Sequence, residues 1–174
     1  MMELISILCL LIAAILLLIL TIIDFKKYLL PNIYVFPFAA LGVAFHSFTN
    51  FEILDLSQIA IGGIAGYGIL YGIRFLGNKY YGQDSLGLGD VKLLGASGLW
   101  LGLEGVLIAM TVGAFFGLIH GFIHAVCVSV KNKTKLSIKR LKIPAGPGFI
   151  GGIIVAFFWL FHHDILRLFY SVFA

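Results

Sequence analysis

Charged residues and cysteines are scarce in this sequence. Only 11% of the 174 residues are charged, while 61% are hydrophobic and the mean hydropathy is +1.08. A soluble domain of this size does not need so many apolar residues to fill its core. The composition therefore excludes an ordinary soluble protein and indicates an integral membrane protein.

The two cysteines, Cys9 and Cys127, lie far apart in apolar segments and form no Cys-x-x-Cys pair. This spacing excludes a disulfide framework and a site where several thiolates bind a metal. We expect both cysteines to be small residues of the core.

Long apolar runs predict the architecture. A helix of about 20 apolar residues crosses a hydrocarbon core of about 30 Å. We expect an all-α integral membrane protein with a single helical membrane domain, residues 1–174, and about six transmembrane helices, at 3–24, 32–47, 57–76, 90–103, 105–130 and 147–163. The first run lacks a basic start and a small-residue cleavage site, so we expect a retained helix instead of a signal peptide. The mixed segment 162–174 is expected to form an interfacial helix.

The basic residues predict the orientation. They gather after the first span (Lys26, Lys27), after the third (Arg74, Lys79) and in the stretch 131–142. Loops rich in Lys and Arg face the cytoplasm, so both termini are expected on the outer side. The basic stretch is expected to meet anionic lipid headgroups.

Acidic residues are few, and the predicted topology separates them. Five of the eight fall in outer loops or ends: Glu3, Glu52, Asp55, Glu104 and Asp164. Asp24 closes the first span and Asp90 opens the fourth, so both lie at the cytoplasmic face. A helix cap or interface explains either one alone. For Asp84, in the same region, a solvated loop carboxylate is favoured over a role in attracting a basic peptide.

Together, Asp24 and Asp90 favour a catalytic interpretation. An ionisable group costs about 2.5–3.5 kcal/mol at the bilayer centre and is found mainly where it has a function. Two carboxylates within hydrogen-bond reach do not both ionise easily, so one keeps a proton. This is the working state of an aspartic protease. Gly87 and Gly89 would let an extended peptide approach, and glycine permits turn conformations.

Two stretches carry a resemblance to a known family. The segments "IDFKKYLLPN", residues 23–32, and "GLGDVKLLGASGLWLG", residues 87–102, resemble the type IV prepilin peptidases, membrane aspartic proteases of the GxGD class that include preflagellin peptidases. "IPAGPGFIGG", residues 143–152, is a looser match to the start of the family's last helix. The resemblance implies Asp24 and Asp90 as catalytic residues. It also implies substrate-binding or supporting roles for Gly87, Gly89, Lys92, Pro31 and Asn32.

The resemblance also implies an activity and its location. It is the removal of a leader peptide from prepilin-like or preflagellin-like precursors, at the cytoplasmic face of the plasma membrane. It implies no metal, no organic cofactor and no nucleic-acid partner. The sequence lacks the N-terminal part with paired cysteines that bifunctional members carry, so it is similar to a short form lacking the methyltransferase domain. We therefore expect cleavage without N-methylation.

Several alternatives remain open. His120 and His124 have the i, i+4 spacing of a metal site, but the His-Glu-x-x-His pattern is absent and polar contacts between helices are favoured. Lys92 points away from Asp90 around the helix. Its side chain either extends to the membrane interface or changes the protonation of the two acids, and both interpretations stay open. A small ion- or proton-coupled transporter using Asp24 and Asp90 is the main alternative function, and an assembly protein of a secretion system is a third.

Three further expectations concern packing and depth. Glycines at four-residue spacing predict close helix contacts: Gly62 and Gly66, Gly68 and Gly72, Gly98 and Gly102, and Gly113, Gly117 and Gly121. Trp100 and Trp159 are expected in an interfacial aromatic belt. The fourth span covers only about 21 Å, so Asp90 is expected below the cytoplasmic surface.

Overall fold

The protein is all-helical in a computed structural model that describes residues 2–132 and 144–173, with side chains at 2–127, 144–168 and 170. The helices are α1 (Met2–Lys27), α2 (Asn32–Phe48), α3 (Leu56–Tyr81), α4 (Leu88–Asn132) and α5 (Gly146–Phe173). Four of them, all except the 17-residue α2, are long and apolar enough to cross a membrane. The prediction of an all-helical membrane protein is confirmed. Most of the basic stretch 131–142 lies outside the described residues.

Helix α4 bends sharply at Gly102, whose φ of 66° and ψ of −171° are not helical. A Cβ added at Gly66 of α3 would touch the Leu94 carbonyl and would also lie 2.8 Å from Val106 Cγ2. A straight helix would set Leu94 and Val106 about 18 Å apart. The N-terminal arm, 88–101, and the C-terminal arm, 103–132, therefore fold back beside each other. Glycine suits the bend because the positive φ penalises other residues.

The end of the chain differs from its prediction. The segment 162–174 was expected to form a separate interfacial helix, but α5 runs without a break through Phe173. The sequence has no glycine or proline after Gly152, so nothing interrupts the helical hydrogen bonds. The tail is therefore the last part of α5.

Glycines bring α3 and α5 against α4. The bare faces of Gly62 and Gly98 meet so closely that a Cβ on either would collide with the backbone of the other helix. Gly152 of α5 meets Gly113 of the C-terminal arm in the same way. Around Gly68 and Gly72, by contrast, a Cβ would have no neighbour within 4 Å. The prediction of close packing is confirmed for Gly62, Gly66, Gly98 and Gly113, and is wrong for Gly68 and Gly72.

Trp100 lies in the core and not in an interfacial belt, so that prediction is wrong. It is 3% exposed and stacks on Phe38 and Phe45, with ring centroids 5.5 and 5.4 Å apart. Its indole N–H donates to the Phe38 carbonyl at 2.8 Å, and its own carbonyl accepts from His46 Nε2 at 3.1 Å. Bonds on both sides make Trp100 a link between α2 and α4. Trp159 is 73% exposed, as a belt residue would be.

The two cysteines have different surroundings. Cys9 packs in the core, as expected. Cys127 is exposed near the end of α4, so the prediction of a core position is wrong for this residue. An apolar helix that faces lipid does not need to bury its small residues.

Adding a methyl group at Gly98 should separate α3 from α4. We expect Gly98→Ala to lower the free energy of unfolding by about 1–3 kcal/mol, the cost of overpacking a tight contact. Gly72→Ala is the matched control, because its Cβ would meet nothing within 4 Å. Thermal unfolding in detergent micelles measures both variants. Equal stability of the two variants would contradict the packing.

Candidate active site

Asp24 is held by the backbone of the last helix. It lies in the last turn of α1 and is 4% exposed. The backbone N–H of Gly146, the first residue of α5, donates to its Oδ2 at 3.0 Å. A Cβ at Gly146 would lie 2.7 Å from that oxygen, so glycine is what lets the backbone approach. Within the described part of the chain, no hydrogen bond to Oδ1 is found.

Asp90 lies against the backbone just before its own helix. It is in the first turn of α4 and is 8% exposed. A Cβ at Gly87, the residue before the helix, would lie 2.8 Å from Asp90 Oδ2. At both acids, therefore, the missing side chain of a glycine makes room for the carboxylate.

The two acids lie at one end of the helix bundle. Asp24 comes from the end of α1 and Asp90 from the start of α4, and they are near enough that the charge of Asp24 acts on Asp90. Both carboxylates are largely buried, so little water screens this interaction. The sequence prediction that these two residues come to the same end agrees with this geometry.

Leu30 packs between the segments that hold the acids. It lies in the short link between α1 and α2 and is 8% exposed. A Cβ at Gly89, beside Asp90, would lie 2.8 Å from Leu30 Cβ, and a Cβ at Gly146 would lie 3.3 Å from Leu30 Cδ2. Tyr28 turns the link toward this position with a φ of 53°. Sequence analysis missed Leu30, because a leucine in a membrane protein carries no distinguishing signal.

The reason for Gly87 and Gly89 differs from the expected one. Among the described glycines only Gly82 and Gly102 have a positive φ, so the predicted need for turn conformations is wrong at both positions. Gly89 lies inside α4 and its bare face packs against Leu30. Close approach explains both glycines. Access of a peptide past Gly87 stays a prediction.

The other predicted residues link α2 to α4. Pro31 caps α2 in an extended conformation, and Asn32 is the first residue of that helix. Lys92 Nζ donates to Asn32 Oδ1 at 3.1 Å and lies 5.9 Å from the centroid of the Phe36 ring. Lys92 therefore contacts α2 and, within the described residues, donates to neither acid. Sequence analysis named these residues but not their contact.

Among the described residues, no hydrogen bond or ion pair links the remaining polar candidates to the acids. His120 packs on the Phe25 ring at 5.9 Å, whereas His124 is exposed, so the prediction of buried contacts is wrong for His124. No group of three potential metal ligands occurs among the residues that the structure describes. Asp84 is exposed and forms an ion pair with Arg74 at 2.6 Å.

An apolar cavity of about 650 Å³ lies next to the site, between α1 and α5. Its lining reaches Thr21 and Pro147, which lie close in the chain to Asp24 and Gly146, and it includes neither acid. Thr21 bonds to the Leu17 carbonyl at 2.8 Å, so even its hydroxyl is satisfied within α1. The acids therefore stand at the edge of an apolar space.

Comparison with known proteins identifies the family. The pattern of the type IV leader peptidase family matches residues 11–122, and the chain belongs to this family. The resemblance seen in the sequence is thereby confirmed. No solved structure matches the chain.

Individual relatives agree with this assignment. Three similar proteins bear the name prepilin leader peptidase/N-methyltransferase. The one from Aeromonas hydrophila is 36% identical over 103 residues, covering 57% of this chain and 35% of the relative. The one from Escherichia coli (strain K12) is 31% identical over 99 residues, covering 57% of this chain and 43% of the relative. The one from Vibrio cholerae serotype O1 is 32% identical over 137 residues, covering 79% of this chain and 50% of the relative. The match thus spans about a third to a half of the length of these relatives.

The two glycines before the second acid should respond differently to alanine. At Gly89 a Cβ would meet Leu30 Cβ at 2.8 Å, next to the backbone, so we expect Gly89→Ala to lower the free energy of unfolding by about 1–3 kcal/mol. At Gly87 the Cβ would meet only the end of the Asp90 side chain, which can rotate. We expect Gly87→Ala to stay within about 1 kcal/mol of the original protein. Thermal unfolding measures both, and the reverse order of stability would contradict the role of Leu30.

Proposed function

We propose that this protein is a membrane aspartic endopeptidase that removes the leader peptide of type IV prepilin-like precursors, with Asp24 and Asp90 as its catalytic pair. One observation carries the proposal. Two carboxylates from different helices lie at one end of the bundle, both are largely buried, and each lies against a glycine, Asp24 against Gly146 and Asp90 against Gly87. Membership in the type IV leader peptidase family supports it.

The proposed reaction uses the two acids in opposite protonation states. The ionised carboxylate takes a proton from a water molecule, and the oxygen of that water attacks the peptide carbon. The protonated carboxyl donates its proton to the carbonyl oxygen, which gives a neutral tetrahedral intermediate. When this intermediate collapses, the acid that took the proton from water gives it to the departing nitrogen. The other acid recovers its own proton, so the pair returns to its starting state.

The hydrogen bond from Gly146 would prepare Asp24 for this reaction. The N–H occupies Asp24 Oδ2 and would leave the other oxygen for water or substrate. A fixed orientation lowers the entropy lost on reaching the transition state. A neutral N–H also orients the acid and leaves its negative charge uncompensated. A lysine or arginine in the same place would compensate that charge.

The supporting residues would fix the positions of α2 and α4 relative to each other along their axes. The bond from Lys92 to Asn32 joins the starts of α4 and α2. Pro31 begins α2 directly after Leu30, which packs beside both acids. We propose positioning roles for Pro31, Asn32 and Lys92, and a substrate-facing role for Gly87.

We propose that the acids face the cytoplasm and that the chain crosses the membrane about six times. The two arms of α4, separated at Gly102, would form one span each. Lys26, Lys27 and Arg74 lie toward the end that carries the acids, which is the side that basic residues mark as cytoplasmic. Both termini would then lie outside.

The precursor and its modification belong to the same proposal. Prepilin-like and preflagellin-like precursors are the proposed substrates. The basic segments are proposed to contact anionic lipid headgroups. Residues 1–174 are proposed to act as one domain. Cleavage without N-methylation stays a prediction. The mass of the new N-terminus of a cleaved precursor decides it, because each methyl group adds about 14 Da.

Replacing either acid should stop cleavage. We expect Asp24→Asn and Asp90→Asn each to lower the cleavage rate of a purified prepilin-like precursor in liposomes by at least about 100-fold, the smaller end of the usual gain from acid–base catalysis. The amide keeps the shape of the side chain, so thermal unfolding should show folded protein. Glu52→Gln, an exposed change outside the site, is the control and should cleave normally.

Two results would contradict the proposal. If both Asn variants cleave at the original rate, the acids are not catalytic. If the original protein cleaves no precursor but carries protons across the liposome membrane in a way that depends on Asp24 and Asp90, the transporter alternative replaces the peptidase.

A further inference from the structure

The loop that leads to Asp90 is fastened to α3. Helix α3 ends at Tyr81, and the next residue, Gly82, has a φ of 65° and donates its N–H to the Asn78 carbonyl at 2.9 Å. Two residues on, Asp84 Oδ1 accepts from Arg74 Nη2 at 2.6 Å and from Asn78 Nδ2 at 2.9 Å. The chain is thus bound back to the helix that it has just left.

Ser85 extends this attachment. Its backbone N–H and its hydroxyl both donate to Asn78 Oδ1, at 2.7 and 3.0 Å. The contact requires glycine at position 77, because a Cβ there would collide with the Ser85 hydroxyl. Since a backbone N–H only donates, the amide oxygen of Asn78 must face Ser85 and its nitrogen must face Asp84. The amide therefore fits this loop conformation in one orientation only.

We propose that Arg74, Asn78, Asp84 and Ser85 form a clasp that positions Gly87 against the Asp90 carboxylate. The inference rests on the proposed function, since it concerns the same acid. Gly87 follows Ser85 by two residues, which limits its distance from the fixed residue to about 7 Å. A clasp at Ser85 therefore restricts where Gly87 can lie. These four are positioning residues, because none of them contacts Asp90.

Exposure separates this role from a contribution to overall stability. The Asp84 side chain is 76% exposed and that of Arg74 is 17% exposed. Ion pairs with an exposed partner add little to folding stability. The clasp can hold the local conformation of the loop without determining whether the protein folds. The positive charge of Arg74 also compensates the negative charge of Asp84, so Asp84 is poorly suited to attract a basic peptide.

Reversing the direction of one hydrogen bond tests the clasp. Asn78→Asp keeps the acceptor for Ser85 but places an oxygen against Asp84, so the two side chains repel. We expect kcat for precursor cleavage to fall about 10-fold, with KM within twofold and an unchanged melting temperature. Adding Asp84→Asn restores a donor facing the new acid, and the double variant should recover most of kcat. Lys79→Gln, an exposed neighbour that is not in the clasp, is the control.

Amide hydrogen exchange gives a second measurement that needs no substrate. We expect Asn78→Asp to speed exchange at residues 85–90 at least about 10-fold, and the double variant to reverse the change. Unchanged exchange and unchanged kcat would overturn the clasp while leaving the peptidase proposal intact. A loss of kcat that the double variant does not recover, together with a lower melting temperature, would also overturn it. If the original protein cleaves nothing, the proposed function fails and exchange alone decides the clasp.

Discussion

The hydrogen bond from the Gly146 N–H to Asp24 is the contact on which the arrangement of the site depends. It joins the start of the last helix to the end of the first. A carboxylate that is shielded from water needs a donor, because leaving it unsatisfied costs free energy. The donor here is main chain, so α5 must begin beside Asp24 and come close enough to exclude a Cβ. Leu30 fits against the same glycine and continues the contact to α4.

Helix α2, with 17 residues, is shorter than the four helices that are long enough to cross a membrane, yet it contacts the N-terminal arm of α4 at two places. Near its start, Asn32 accepts from Lys92. Further along, the Phe38 carbonyl accepts from Trp100, and His46 donates to the carbonyl of the same tryptophan. These bonds prevent the arm from sliding along α2. The bend at Gly102 requires such support, because it interrupts the helical bonding of carbonyls just before it.

The sequence was sufficient to predict an all-helical membrane protein, the packing glycines near Gly98 and the approach of Asp24 and Asp90 to one end of the bundle, because hydropathy, spacing and motif depend on residue type. It was not sufficient for contacts made by the main chain. Every residue except proline carries an N–H, so nothing in the letters marks Gly146 as a donor. Trp100 was misplaced for a related reason, since an indole suits an interface or a core with a nearby carbonyl, and only the position of Phe38 decides between them.

The use of peptide amides as donors limits what side-chain mutagenesis can reveal about this site. Any replacement at Gly146 other than proline keeps the donor while adding bulk next to Asp24, so a damaged variant reports crowding and not the lost bond. A scan of all positions would therefore report the effect of changing each acid and overlook the N–H that orients Asp24. Only a change to the backbone itself, such as an ester in place of the amide, would isolate that contribution.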